Sequence, residues 1–424
     1  MPHRILRVTA LGAVLAVAWY PAASTRRHGN EGHIRRGCII RETARERLSL
    51  VDGRRVYIEP VVLAANSRGD LLLAGQRNLL ERRAGGPSAG RASGDSLLGA
   101  IVPRSGPVRL VPSPIPSRLL NGVGAVARPD GTWAVVFGET GPYSGPSRPD
   151  TVARLWFGVF DGAAWTELEH LPAPPEALIR AAGASALIAY GDTLAWALRT
   201  TTPQHPDDVI VYERRGGAWT YEIVPTVVSA YSALAHSDSM GLLLFHVGPD
   251  LSLPSDRNSL FLWARHPGWG KIRKVVSSSV EEVFNPQVRR SGAGHTLNWI
   301  AEIRESGGTR REAHAMVGRL ETGRAQVISL DSAMPFAGSL QPVELRRGLR
   351  LWVLEHSSHN GGREVRVVRD SSAVSVPMYR APSPFATGFV AAATGSSDLV
   401  VTGADYDPVR QSVASMLIRY RVEC

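Results

Sequence analysis

The stretch from Gly131 to Phe137, Gly-Thr-Trp-Ala-Val-Val-Phe, places a turn glycine just before a run of apolar residues. Similar stretches recur along the chain at spacings of about 50 to 60 residues, a period typical of β-propeller blades. A four-stranded unit cannot bury both of its faces alone, so its copies stack in a ring. The repeat predicts an all-β fold, a single β-propeller with seven blades favoured and six as the alternative. The stretches begin at Gly69, Gly131, Gly191, Gly241, Gly294, Gly348 and Ser397.

Each repeat reads as an inner strand, a turn, the apolar second strand, a longer connection, a third strand and a hairpin into an outer strand. In the second repeat Asp161-Gly162 opens that hairpin, which is a strong local signal for a tight turn. Trp165 follows this turn, and Trp219 and Trp269 follow the corresponding turns of the next two repeats. We expect each tryptophan to cover the outer edge of its blade.

The segment Asp161-Gly162-Ala163-Ala164-Trp165 resembles the second half of the Asp-box of sialidase-like propellers, Ser-x-Asp-x-Gly-x-Thr-Trp. The resemblance covers the repeat architecture from about Arg54 to Cys424. It implies a sialidase-like propeller fold and, as one possible activity, hydrolysis of glycosidic bonds. None of the seven repeats contains the full pattern, and the Arg-Ile-Pro of that family is absent from the chain. These departures leave the activity open.

The beginning of the chain predicts export. Two arginines precede an apolar run from Val8 to Tyr20, and small residues follow it up to Ser24. We predict a signal peptide in residues 1–24, cleaved near Ser24, a short linker in residues 25–36 and the propeller in residues 37–424. The run is shorter than the roughly 20 residues of a membrane span, with an uncleaved anchor as the alternative. The mature chain is expected to be secreted or periplasmic and to meet a membrane only through this segment.

The two cysteines, Cys38 and Cys424, lie near opposite ends of the chain. The last repeat, which begins at Ser397, lacks a fourth strand, and the segment Gly37–Leu50 is predicted to supply it. The ring would then be closed by strands from both ends of the chain. An oxidising compartment favours a Cys38 to Cys424 disulfide across this closure, and two free thiols are the alternative.

The formal net charge is +10, from 48 basic and 38 acidic residues. The arginines are scattered through all repeats and form no stripe interleaved with aromatic residues, so nucleic acid is not expected as a partner. A basic surface favours anionic glycans or an acidic cell envelope by long-range attraction. The chain has no Gly-x-Ser-x-Gly, His-Glu-x-x-His, Walker or dinucleotide-binding motif, which disfavours the corresponding enzyme classes. We expect a monomer.

The connections between second and third strands vary most in length and are rich in polar residues. In a propeller they emerge together on one face, called here the long-loop face, where ligands are expected to bind. The opposite short-turn face, formed by the inner turns and outer hairpins, is predicted to be structural. The long connections are Gln76–Ser96, Glu139–Thr151, Thr200–Asp208, Gly248–Ser259, Glu302–Glu312, Glu355–Glu364 and Ala404–Gln411.

Polar side chains at the ends of the second strands are the candidate site. They are Gln76, Glu139, Arg199, His246, Glu302, Glu355 and Asp405. Paired carboxylates are what glycoside hydrolysis needs, so Glu139, Glu302, Glu355 and Asp405 are the candidate acid and base. Arg199, His246, Tyr143 and Tyr406 are the candidate ligand-binding residues. Alternatively, these strand-end charges are simply solvated.

No cofactor is expected, apart from a weak candidate calcium site at Asp405 and Asp407. Three classes of function fit these observations. The preferred one is binding of a glycan, or of an envelope or extracellular protein, on the long-loop face. A sialidase-like glycoside hydrolase that uses the strand-end carboxylates is the first alternative, and a non-catalytic scaffold in a cell-envelope complex is the second.

Overall fold

The computed structural model describes most of the repeat region, and the predicted signal peptide lies outside the described residues. No helix among the described residues is long and apolar enough to cross a membrane. The described residues are 32–34, 38–48, 50–51, 54–81, 97–115, 120–140, 151–175, 178–180, 185–201, 208–226, 231–250, 258–276, 281–291, 294–305, 308–322, 324–334, 337–346, 349–357, 363–369, 376–381, 389–407 and 412–423.

The fold is built from strands, with one short 3-10 helix at Leu320–Thr322. In chain order the strands are β1 (Gly32–Ile34), β2 (Cys38–Leu48), β3 (Leu50–Val51), β4 (Arg54–Ala65), β5 (Leu71–Glu81), β6 (Leu97–Val102), β7 (Arg109–Pro112), β8 (Leu120–Ala127), β9 (Trp133–Thr140), β10 (Thr151–Phe160), β11 (Trp165–His170), β12 (Leu178–Arg180), β13 (Ile188–Tyr190), β14 (Thr193–Thr201), β15 (Asp208–Arg215), β16 (Ala218–Val224), β17 (Tyr231–Ser237), β18 (Gly241–Pro249), β19 (Asn258–Arg265), β20 (Trp269–Val276), β21 (Glu281–Ser291), β22 (Gly294–Glu305), β23 (Gly308–Arg319), β24 (Arg324–Met334), β25 (Ala337–Arg346), β26 (Leu349–Ser357), β27 (Arg363–Arg369), β28 (Val376–Ala381), β29 (Phe389–Ala393), β30 (Asp398–Asp407) and β31 (Ser412–Glu423).

Within the described residues these strands form six antiparallel sheets in a six-bladed propeller arrangement. The sheets are β3–β7, β8–β16, β17–β20, β21–β24, β25–β28 and a last sheet that joins β1 and β2 to β29–β31. The inner strands β17, β21, β25, β29, β4 and β8 each contact the next one in this order, and β13 and β14 contact β17. This order of contacts arranges the sheets in a ring, and the all-β propeller prediction is confirmed.

The second sheet contains nine strands because β12 pairs on one side with β10 and on the other with β14. Val152 lies opposite Ile179 in the first pairing, and Arg180 lies opposite Arg199 in the second. The second and third repeats therefore share one sheet. The number of sheets is six, the stated alternative, and the preference for seven blades is not confirmed. Each of the seven apolar stretches forms the second strand of a repeat, namely β5, β9, β14, β18, β22, β26 and β30.

The N-terminal strand completes the last sheet, as predicted. β2 pairs with β31 from Ile39 opposite Glu423 to Leu48 opposite Ser415. Ile40 is only 2% exposed and packs in a core with residues of the sixth and seventh repeats. β1, which falls within the predicted linker, adds a fifth strand to this sheet. Ring closure by strands from both ends of the chain is confirmed.

The core lies between neighbouring repeats. In β9, Val135 and Phe137 pack in one cluster with the first repeat, whereas Ala134 and Val136 pack in another with the third. A second strand lies in the middle of its sheet, and each face of that sheet packs against a neighbouring repeat, so both faces of the strand are buried. This explains why the second strands read as continuous apolar runs instead of alternating ones.

Side chains of the outer hairpins connect one repeat to the one before it. The indole N–H of Trp165 donates to the carbonyl oxygen of Pro112 at 3.1 Å, in the first repeat. The indole N–H of Trp219 donates to Glu169 at 3.1 Å, and that of Trp269 donates to Glu222 at 2.6 Å. The predicted covering tryptophans therefore also bond to the preceding repeat. We call these tryptophan contacts, together with the bonds from Arg265 to Glu213 and Glu222, the inter-repeat staples.

The Asp161 side chain closes its own turn by hydrogen bonds to the backbone. One carboxylate oxygen of Asp161 accepts the backbone N–H groups of Ala163 at 2.7 Å and Ala164 at 2.8 Å. These bonds, led by that from Ala164, lower the pKa of the Asp161 carboxyl. Asp161 thus closes the hairpin that presents Trp165 to the first repeat.

Candidate functional site

The tips of the predicted long-loop face lie outside the described residues, and Tyr143 is among them. The strands around these connections are longer than the sequence indicated. In the fifth repeat β22 and β23 pair up to Glu305 opposite Gly308, so the predicted loop Glu302–Glu312 is wrong. Charged residues suggested a loop there, but strands that extend beyond the core also present charged side chains to solvent.

Two of the four candidate carboxylates are described, and each is bonded within its own repeat. Glu139 accepts the indole N–H of Trp156 at 3.1 Å. Glu302 accepts two N–H groups of Arg311, at 3.0 Å from Nε and 2.9 Å from Nη2. Both carboxylates are therefore already engaged by side chains of their own repeats.

Arg199 and His246 differ in how deeply they are buried. Arg199 is half-buried in β14, where it lies opposite Arg180 and Val209 in the ladders on either side. His246 is 3% exposed, and its ring lies 5.3 Å from that of Phe261. Burial lowers the pKa of His246 to about 4, so the ring is neutral at physiological pH. His246 therefore lies in the interior instead of at an exposed rim.

The remaining predicted site residues are described only through their backbone. Gln76 lies in β5 and Glu355 in β26. Asp405, Tyr406 and Asp407 lie in β30, paired with β31, instead of in a loop. Among the described residues no group of three or more His, Cys, Asp or Glu is placed to hold a metal ion. Cys38 begins β2, and Cys424 lies outside the described residues.

A polar cluster on the short-turn face joins the third, fourth and fifth repeats. The rings of Tyr190 and His236 stack with centroids 4.1 Å apart and planes 11° apart. Nε2 of His295 lies 3.0 Å from the backbone oxygen of His236. Arg290 donates to Asp238 at 2.8 Å, and both side chains are largely exposed. Each of these residues lies at or beside the turn that ends the inner strand of its repeat.

Glu213 anchors the outer part of the cluster. Its carboxylate accepts from Arg215 of its own repeat and from Arg265 of the fourth repeat. Arg265 also donates to Glu222 at 2.8 Å. The Glu213 side chain is 6% exposed, whereas that of Arg215 is 66% exposed. The buried carboxylate therefore holds two guanidinium groups, one of which faces solvent.

Arg289, next to Arg290 on β21, is exposed, yet protein packed around it lowers the pKa of its guanidinium. Arg289 has no carboxylate partner among the described residues. Since an arginine remains charged in proteins, Arg289 adds an exposed positive charge next to Arg290 along the chain.

Burial is the main cause of the pKa shifts of the two stacked rings, Tyr190 and His236. Burial is the main cause that lowers the pKa of His236, and Arg290, His295 and Arg215 lower it further, whereas Asp238 raises it. Burial, with a smaller contribution from Glu213, raises the pKa of Tyr190 to about 12. At neutral pH both rings are uncharged. Three arginines of the cluster are paired with three carboxylates, and Arg289 is one further positive charge nearby in the chain; the paired groups are Arg215, Arg265 and Arg290 with Glu213, Glu222 and Asp238.

This arrangement can bind an anion that also carries hydroxyl groups. Guanidinium groups bind carboxylates in a bidentate geometry, and the exposed Asp238 can accept hydroxyl hydrogen bonds beside them. The cluster was not predicted, because the short turns of this face were expected to be structural. The Arg289-Arg290 pair just before a turn was the available signal.

Comparison with known proteins gives similarity in fold only. No family model matches the chain, and no curated protein does. A protein of unknown function from Dyadobacter fermentans matches with a TM-score of 0.48 and 12% identity, over 72% of this chain and 95% of that one. A Hadza microbial sialidase matches with a TM-score of 0.45 and 11% identity, over 76% of this chain and 73% of that one.

A neuraminidase-like protein of A/flat-faced bat/Peru matches with a TM-score of 0.37 and 9% identity, over 86% of this chain and 87% of that one. Solved structures similar to the chain thus include sialidase and neuraminidase-like β-propellers. The propeller architecture that the sialidase-like resemblance implies is confirmed by the ring of six sheets itself. At these identities the similarity assigns no activity.

Proposed function

We propose that this chain is a binding β-propeller whose ligand is an acidic glycan, held by the short-turn cluster around Arg289 and Arg290. The observation that carries the proposal is the exposed ion pair of Arg290 and Asp238 beside the stacked rings of Tyr190 and His236, with the exposed Arg289 next to Arg290 in the chain. A sugar acid offers a carboxylate for these guanidinium groups and hydroxyl groups for Asp238. The overall charge of +10 would add long-range attraction.

The bonding of the described candidate carboxylates favours binding over hydrolysis. A glycoside hydrolase needs one protonated and one ionised carboxyl group on either side of the bond that is cleaved. Glu139 is bonded to an indole N–H, and Glu302 is paired with Arg311. Secretion, a monomeric state and the choice of a glycan over a protein partner belong to this proposal.

The test compares binding of polygalacturonate with binding of its methyl-esterified form, which has the same sugar ring and no charge. The variant Arg289→Gln with Arg290→Gln is measured beside Arg154→Gln. Arg154 is exposed on β10 opposite Glu139, towards the long-loop face, and serves as a control for the loss of a charge. We expect polygalacturonate to bind the double variant about tenfold or more weakly, since a charge-assisted contact contributes roughly 1.5–3 kcal/mol.

Equal binding of the esterified polymer, or a loss confined to Arg154→Gln, would contradict the proposal, and the second result would restore the long-loop face. Binding of an acidic protein but of no glycan would assign the cluster to a protein partner. Release of reducing sugar ends that Glu139→Gln and Glu302→Gln abolish would establish the hydrolase alternative.

A further inference from the structure

The ladder that closes the ring ends one residue from each cysteine. Its last pair is Ile39 opposite Glu423, and the next pair inward is Ile40 opposite Val422. Cys38 directly precedes Ile39, and Cys424 directly follows Glu423. In an antiparallel ladder the next residue on one strand meets the preceding residue on the other. The register thus advances towards a Cys38–Cys424 pair.

Directly opposite residues in an antiparallel pair have Cα atoms about 4.5–5.5 Å apart. A disulfide needs a Cα separation of roughly 4.4–6.8 Å. One further step of the observed register would meet this requirement. The regular pairing of four consecutive residues from Ile39 to Glu42 with β31 fixes that register.

We propose that Cys38 and Cys424 form an intramolecular disulfide that links the two strands at the closure of the ring. With oxidised glutathione as the oxidant, one protein thiolate attacks the glutathione disulfide and releases one reduced glutathione. The second protein thiolate then attacks the mixed disulfide and releases the other. Two protein thiols lose two protons and two electrons, and one glutathione disulfide becomes two thiols. This proposal is independent of the ligand.

The chain offers a direct test by peptide mapping. The full chain is equilibrated with oxidised glutathione, alkylated without reduction and digested with trypsin. Cleavage after arginine yields Gly37–Arg41 and Val422–Cys424, and the expected product is these two peptides joined, lost on reduction. Because the disulfide would close most of the chain into a loop, reduction should lower the thermal midpoint by about 5–10 °C.

The matched controls are Cys38→Ser and Cys424→Ser, each of which should show a low midpoint that reduction leaves unchanged. The proposal is overturned if both cysteines of the folded wild-type chain are recovered as separate alkylated peptides. It is equally overturned if the cysteines are found only in intermolecular dimers. Since the chain contains no other cysteine, the joined peptide has a single intramolecular interpretation once the chain is shown to be monomeric.

Discussion

The pairing of β2 with β31, which closes the ring, differs from the junctions among the second, third and fourth repeats. At the closure, β2 and β31 join by a main-chain ladder, with Ile40 buried between repeats. Between the third and fourth repeats the described polar contacts are side-chain bonds, from Arg265 and Trp269 to Glu213 and Glu222. The closure depends mainly on strand pairing and apolar burial, with weak polar side-chain contacts such as that of Arg419 with Glu46 at 4.0 Å, whereas the other junction adds ion pairs to its apolar core.

The difference indicates where the ring is most sensitive to substitution. A ladder residue at the closure contributes to strand pairing and to the core at the same time. A staple contributes hydrogen bonds whose net value is modest because water competes for the same groups. We therefore expect apolar substitutions at the closure to cost more than polar substitutions at the staples.

The largest effect is expected for Ile40→Ala. Removing a fully buried isoleucine side chain leaves a cavity between the repeats and should lower the free energy of unfolding by about 2–5 kcal/mol. Arg41→Ala is the matched control, because Arg41 is the next residue on the same strand and is exposed. Urea denaturation followed by circular dichroism measures both. Equal losses for the two variants would show that side-chain burial does not decide the stability of the closure.

A smaller effect is expected at the Glu213 staple. Arg265→Met removes the guanidinium that links the repeats and leaves a buried carboxylate with one partner, which should cost about 1–3 kcal/mol. Arg215→Met removes the exposed partner of the same carboxylate and should cost less than about 1 kcal/mol. The two variants are compared by their urea midpoints. The reverse order would mean that the contact within the repeat is the stronger one.

The smallest effect is expected for Asp161→Asn, which weakens a turn without breaking a junction. Since hydrogen bonds lower the folded-state pKa of Asp161, its ionised form stabilises the fold above the unfolded-state pKa of about 4, and this contribution disappears as the pH falls through the folded-state value. The thermal midpoint of the variant should fall below that of the wild type at pH 7 and approach it near pH 2. A difference that stays constant across this range would exclude ionisation as the cause.

The sequence was sufficient for the repeat and for the closure. Second strands buried on both faces are short continuous apolar runs after a turn, so they can be recognised without an alignment. The missing fourth strand of the last repeat, together with Gly37–Leu50, predicted the pairing seen between β2 and β31. Local hairpin chemistry at Asp161 also corresponds to the structure. In each case the signal lies within a few neighbouring residues.

Other features depend on contacts between distant segments and were not predictable. The three-residue strand β12 merges two repeats through ladders on both of its sides, although its sequence is ordinary. His246 was taken as exposed because it is polar, but its strand is buried on both faces, so polarity does not identify a surface. The partners of Arg265 and Arg290 belong to other repeats, and spacing along the chain gives no information about them.

The closure also determines the order of events during synthesis. The hydroxyl of Thr43 on β2 bonds to Arg419, 376 residues further along the chain. A ribosome therefore completes β2 long before its partner exists, and the strand has an unpaired edge while the repeats between are made. Such an edge can pair with another nascent chain, so the waiting time exposes the chain to misassembly. Protein yield should consequently depend on the time from translation of β2 to that of β31, and on whatever shields the open edge of β2 in between.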